Sequence, residues 1–172
     1  MTNVYRWRWK DGAGSRDTIH VPMKASETVL GGDILKQTSG QAERMIDPSA
    51  TDTAVVITAG TPLGIAIHSK TTTATVTQHT TIAVAPWDKV ELLCRLVGNT
   101  ADGTGATAAG STQADFLFNT AYRIGIYMIG TSSAIYFPIL AFQTSSAQTY
   151  IKEFLKDSQP TDEHGLVWVG AA

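Results

Sequence analysis

Apolar residues in this chain come in short runs, and a turn-forming residue interrupts nearly every one. The pattern is densest at Thr61-Pro62-Leu63-Gly64-Ile65-Ala66-Ile67-His68. Pro62 fixes φ at its start, Gly64 permits a close backbone approach or a bulge, and Leu63, Ile65, Ala66 and Ile67 supply apolar side chains. A Thr-rich stretch follows from Ser69 to Thr77, then a second apolar strand at Thr81-Ile82-Ala83-Val84-Ala85. Upstream, Gly31-Gly32-Asp33 reads as a tight turn feeding Ile34-Leu35-Lys36. Short strands with turn residues about every ten positions are how small β-barrels are built.

The chain has 172 residues, enough for one domain with a substantial core, with or without an appendage. Its formal net charge of −2 argues against a chain-wide electrostatic partner such as duplex nucleic acid or an anionic membrane. Charged residues make up 16%, below the usual quarter or so, and Thr, Ser and Gln supply most of the remaining polarity. Threonine is β-branched and suits a pleated, half-buried surface; a surface of low charge also suits packing against other proteins. Cys94 is the single cysteine, so no intramolecular disulfide can form. Met1 to Lys10 lacks the apolar stretch of a secretory signal, which implies synthesis and folding in a cytoplasm. The longest apolar segment, Ile124 to Phe142, is broken by Gly125, Gly130, Thr131, Ser132 and Pro138 and falls short of a membrane span.

Val4 to Lys10 alternates strictly, with Tyr5, Trp7 and Trp9 on one face and Arg6, Arg8 and Lys10 on the other. Fixing seven residues costs on the order of 7–14 kcal/mol of backbone entropy. Burying three large aromatics returns roughly 4 kcal/mol each. The two nearly cancel, so this arm needs a sheet edge, either its own domain's or a neighbour's. Thr18 to Met23 reads as a strand, and Ile34 to Thr38 with Ala42 to Ile46 as a hairpin about Ser39-Gly40. Ala54 to Thr58, Thr73 to Thr77 and Thr81 to Ala85 continue the strands, and Lys89 to Val97 sets Val90, Leu92, Cys94 and Leu96 on one face. Residues 98–115 hold no large apolar side chain and read as a surface loop. Phe116 to Phe118, Tyr122 to Ile129 and Ala134 to Phe142 resume strands. Ala147 to Asp157 carries Tyr150, Ile151, Phe154 and Leu155 at helical spacing, which predicts a short helix. Leu166-Val167-Trp168-Val169 is an apolar C-terminal strand or hook.

No catalytic constellation stands out. His68 and His79 would face each other across a hairpin, but two imidazoles do not make a structural zinc site. Cys94 falls on a core face, where a thiol is inert; Asp33 follows two glycines and reads as a turn acid. Gly103-Thr104-Gly105 lacks the strand, helix and Lys-Ser/Thr ending of a phosphate loop. Arg6 and Arg8 between Tyr5, Trp7 and Trp9 have the chemistry to stack bases, yet no basic stripe accompanies them. Trp, Tyr and Arg dominate protein–protein hot spots, so protein contact is the better reading.

The sequence from Ala25 to Val97 resembles the head decoration (cement) proteins of tailed bacteriophages. The resemblance is carried by Gly32-Asp33-Ile34-Leu35, the polar hairpin to Met45-Ile46, then Pro62-Leu63-Gly64-Ile65-Ala66 and a Thr/Val strand. It implies a non-catalytic β-barrel or β-tulip module on the outside of a phage head. Such a module bridges major capsid protein subunits, as a homotrimer in preference to a dimer. The Tyr5 to Trp9 strand departs from the family's small members, and residues after Phe116 have no counterpart in them. The expectation is an all-β barrel with an extended N-terminal arm and first strands in 1–24, a barrel core in 25–97, a loop in 98–115, and strands, a short helix and a hook in 116–172. Partner-binding residues are expected to be Tyr5, Arg6, Trp7, Arg8, Trp9, Leu166 and Trp168. No cofactor, metal, nucleic acid or membrane is expected, and the site of action would be the virion's outer surface. The rival readings are a tail or neck protein, a carbohydrate-binding β-module using Trp7, Trp9, Trp87 or Trp168, and an enzyme using Cys94 with His68 or His79.

Overall fold

Alternating apolar and β-branched residues make strands throughout. The computed structural model describes residues 6–45, 55–56, 62–97, 118–119, 121–128, 136–141, 149–155 and 166–172. In chain order the strands are β1 (Trp7–Trp9), β2 (Ile19–Pro22), β3 (Thr28–Val29), β4 (Ile34–Thr38), β5 (Gln41–Arg44), β6 (Val55–Val56) and β7 (Pro62–Ala66). They continue with β8 (Lys70–Thr71), β9 (Thr81–Pro86), β10 (Val90–Val97), β11 (Arg123–Met128), β12 (Tyr136–Ala141), β13 (Tyr150–Phe154) and β14 (Leu166–Gly170). Among the described residues the helical elements are two short 3-10 turns, Ser15–Asp17 and Trp87–Lys89.

The smaller main sheet runs β2-β9-β7-β4-β5, which puts Pro62–Ala66 at its centre. The register between β7 and β4 shifts between Leu35 and Lys36, a bulge that sets Leu63 and Gly64 against one stretch of β4. Gly64 has φ +155, and a Cβ there would run into the Ala85 carbonyl oxygen and stand 2.8 Å from Val84 Cγ1. Both roles that glycine can play at this position are therefore filled. The bulge shifts the alternation, so Leu63 and Ala66 pack into one cluster while Ile65 packs into another.

That division organises the molecule. One cluster, Val21, Met23, Val29, Leu35, Ala42, Ala66, Ile82 and Val84, fills the inner side of the smaller sheet. The β3–β8 pair lies beside it, with Thr72 Oγ1 donating to the Lys24 carbonyl at 2.7 Å and accepting from the Glu27 amide at 2.9 Å. The other cluster joins the two main sheets: Ile34, Met45, Ile65, Ala85 and Trp87 meet Val90, Leu92, Cys94, Ile124, Ile151, Val167 and Val169. Each Leu, Ile or Val so buried contributes about 1.5–3 kcal/mol.

The larger sheet runs β13-β14-β10-β12-β11-β6, with β1 added to β10. Leu92 pairs with Trp7 on one edge and Val169 on the other, while Arg95 to Val97 pair in parallel with Ile139 to Ala141. Strand β10 therefore shares one edge between β1 and β12 and gives the other to β14. Both the N-terminal arm and the C-terminal hook are ordinary strands of the chain's own sheet.

Three expectations are corrected. The sheets are open and do not close into a barrel: the edge strands β2 and β5 meet at a single bridge, Met23↔Ala42. Both are only four residues long, and Pro22 brings no N–H with which to extend a ladder. The short helix expected over Ala147 to Asp157 is absent, and Tyr150–Phe154 is strand β13. A bulge between Ile151 and Glu153 inserts one residue, so Ile151 and Phe154 pair with Val169 and Val167 and share the core face three positions apart. That spacing imitates a helix. The strand expected over Thr73 to Thr77 is irregular, because Thr73 Oγ1 donates to the Thr75 carbonyl and Thr80 Oγ1 accepts from the Thr77 amide. Tyr5, residues 98–115, and His164 lie outside the described residues.

The Ile34–Arg44 hairpin forms as expected. Thr38 pairs with Gln41, and Ser39 and Gly40 take φ +50 and +80, the two positive values of a type I′ turn.

Candidate interaction surface

Alternation along β1 sorts its residues onto two faces. Trp7 and Trp9 turn inward, half-buried against the inter-sheet cluster, their rings edge to face with centroids 5.5 Å apart. Arg8 turns outward, opposite Glu91 of β10. Its Nε donates to Glu91 Oε2 at 2.7 Å and its Nη2 to Glu153 Oε2 at 2.6 Å. The guanidinium lies 4.2 Å from the centroid of the Trp168 ring. Burial works against this charge, but Glu153 and Glu91 outweigh it and raise the guanidinium pKa. One side chain thereby links β1, β10, β13 and β14 across the outer face.

Strand β14 sorts in the same way. Val167 and Val169 are fully buried, whereas Leu166 and Trp168 are half-buried on the outer face, Trp168 opposite Leu93 and Glu153. Arg6 is exposed, and its carbonyl accepts from the Leu93 amide at 2.8 Å. The structure thus brings Arg8 and Trp168 together, sets Trp7 and Trp9 behind them against the core, and leaves Arg6 at the start of the arm.

Next to Arg8 opens a cleft of about 390 Å³ lined by Arg8, Trp9, Lys10, Asp11, Glu91 and Glu153. A smaller one of about 260 Å³ shares Lys10 and Asp11 and is completed by Asp17, Asp88 and Lys89. Lys152, on the β13 bulge, leans over this face with its ammonium 5.9 Å from the Tyr150 ring. Burial lowers its pKa, Lys10 lowers it further by repulsion, and Glu91 partly offsets both.

Sequence reading missed Glu91, Glu153, Lys10 as a site residue, and Lys152. Glu91 was legible as the outward partner of the Val90/Leu92/Cys94 face. Glu153 and Lys152 were hidden by the helical reading of their segment.

The remaining candidates carry little chemistry. Cys94 is fully buried, and burial pushes its thiol pKa well up, away from the thiolate. Asp33 is the turn acid, accepting from the Leu30 amide at 2.7 Å and paired with Arg44 Nε at 2.8 Å. His20, His68 and His79 are exposed, and among the described residues no group of three His, Cys, Asp or Glu is arranged to hold a metal. No helix among the described residues is long and apolar enough to cross a membrane.

Comparison of this chain with protein-family models, curated proteins and solved structures finds no match.

Proposed function

We propose that this chain is a non-enzymatic phage head decoration protein. It binds the outer surface of the assembled head as a homotrimer and bridges neighbouring major capsid protein subunits. The observation that carries this reading is the meeting of Arg8 and Trp168 on one exposed face, from the two segments whose composition marks them as sticky. Arg, Trp and Tyr in one patch are the residues around which interface energy concentrates. New interface across subunit seams raises the free energy of shell rupture, and the contact repeats over the whole shell.

The carbohydrate-binding alternative has less support. A sugar needs an open aromatic face, but Arg8 covers a face of Trp168, Trp7 and Trp9 pack inward, and Trp87 is 3% exposed. An enzyme built on Cys94 would need an accessible thiolate, which burial opposes. A tail or neck role would show itself as closed rings in solution.

The test mixes purified protein with expanded, undecorated phage heads and measures co-sedimentation and the temperature of rupture. Stoichiometric binding with a higher rupture temperature is the expected result. Failure to bind heads would overturn the proposal.

A further inference from the structure

After β1 the chain leaves the larger sheet, and it joins the smaller one at β2. The first bend of that passage is fastened on either side of a single step, Asp11-Gly12. The Lys10 amide donates to the Lys89 carbonyl at 2.8 Å, and the Ala13 amide to the Lys10 carbonyl at 2.9 Å. Arg16 Nη2 donates to the Gly12 carbonyl at 2.9 Å. Between these bonds, among the described residues, the Gly12 amide donates to nothing and the Asp11 carboxylate makes no ion pair or hydrogen bond. Both residues are exposed, Gly12 takes φ +81, and no atom lies within 4 Å of where its Cβ would stand. A side chain there would screen the amide nitrogen; glycine leaves it open. The other described aspartates differ. Asp17 accepts from the Gly14 amide and precedes β-branched Thr18, Asp33 is buried against Arg44, and Asp88 lies beside Lys89.

We infer that Asp11-Gly12 is a site of spontaneous backbone modification, where the aspartyl residue becomes isoaspartyl. The Gly12 amide nitrogen attacks Asp11 Cγ and a C–N bond forms. One carboxyl oxygen leaves as water, carrying the amide proton with it, and a five-membered succinimide remains. Water then adds back at either ring carbonyl. Opening at the main-chain carbonyl routes the backbone through Cβ and lengthens it by one atom. Solvent supplies the only co-reactant, so this chemistry needs no partner and holds whatever the chain binds. The added atom falls inside the ring closed by the Ala13-to-Lys10 hydrogen bond. That bond and its neighbour from Lys10 to Lys89 are weakened, and β1, which carries Arg8, loosens from β10 at this end.

The test ages the full-length chain for weeks in neutral buffer at body temperature, then cleaves it after arginine. Fragment 9–16 holds no aspartate besides Asp11. It should divide with time into two species of equal mass, and electron-transfer fragmentation of the new one should place isoaspartate at position 11. A synthetic peptide of the same sequence sets the reference rate, and the native chain should convert within about tenfold of it. Asp11→Glu, which would have to close a six-membered ring, should leave the fragment single. Hydrogen exchange in the isoaspartyl fraction should be faster at the Lys10 and Ala13 amides and unchanged at those of Ile82 and Val84. A single species from the native chain, while the peptide converts, would mean that the turn protects the step and would overturn the inference. Equal conversion in Asp11→Glu would overturn it too. Isoaspartate with unaltered exchange at Lys10 and Ala13 would overturn the loosening of β1.

Discussion

Gly64 is the residue on which the centre of the smaller sheet depends. A side chain there meets the Ala85 carbonyl and an unfavourable φ together, so Gly64→Ala should cost about 3 kcal/mol, read as a lower urea midpoint. The Gly-Ile-Ala step announced a close approach or a bulge from sequence alone, because a glycine inside an apolar strand brings no Cβ to a neighbouring backbone. Glu43 was not legible in this way. It is almost buried on β5, where Lys24, Thr38 and Lys36 surround its carboxylate. Burial alone would raise its pKa; the hydrogen bonds from Lys24, Thr38 and Lys36 outweigh that and bring it from 4.5 down to about 2. A carboxyl depressed on folding contributes stability that is complete above its unfolded pKa and fades as pH falls toward the folded value. Unfolding free energy should therefore drop between pH 4.5 and pH 2 in the wild type and drop less in Glu43→Gln. Equal slopes in urea titrations across that range would contradict this. At the hairpin, Ser39 holds a positive φ that asparagine tolerates better, so Ser39→Asn should gain about 0.5 kcal/mol.

At the scale of elements, bulges decide what the sequence discloses. Strict alternation in Val90 to Cys94 made β10 readable, and the two-residue turn made the β4–β5 hairpin readable. The bulge in β13 replaced a period of two with a step of three, which periodicity cannot distinguish from a helix turn. The aromatic arm was legible as a strand, but which edge it joins depends on pairing with Val90 to Leu92, some eighty residues away, and no local pattern reports that. Arg8 fastens this arm. Because it is 42% exposed, solvent screens its ion pairs, and Arg8→Ala should cost only about 1–2 kcal/mol overall. The loss should fall mainly on β1, with faster hydrogen exchange at its amides and little change in the β7 and β9 amides. Uniform acceleration over both sheets would mean that Arg8 supports the whole fold and not the arm.

For the whole molecule, an all-β architecture followed from short runs, frequent turns and β-branched residues. The division into two main sheets did not, since it rests on which distant strands pair. Cys94 lies where they meet, fully buried with its pKa pushed up, so it should report global opening. Alkylation in native buffer should be slow, and its rate should follow unfolding free energy across the Gly64→Ala and Arg8→Ala variants. Rapid labelling of the native protein would show a local opening beside β10. The placement of β1 and β14 also has a mechanical consequence. Both run antiparallel to β10 and hence parallel to each other, with Trp7 and Val169 flanking Leu92. A pull at Arg6 and Ala172 draws these two strands in opposite directions along β10, loading their hydrogen bonds in shear. Bonds loaded in shear share the load and must give way together, whereas bonds pulled across the strands open one by one. A chain gripped at those two points is therefore braced along the axis of its central strand.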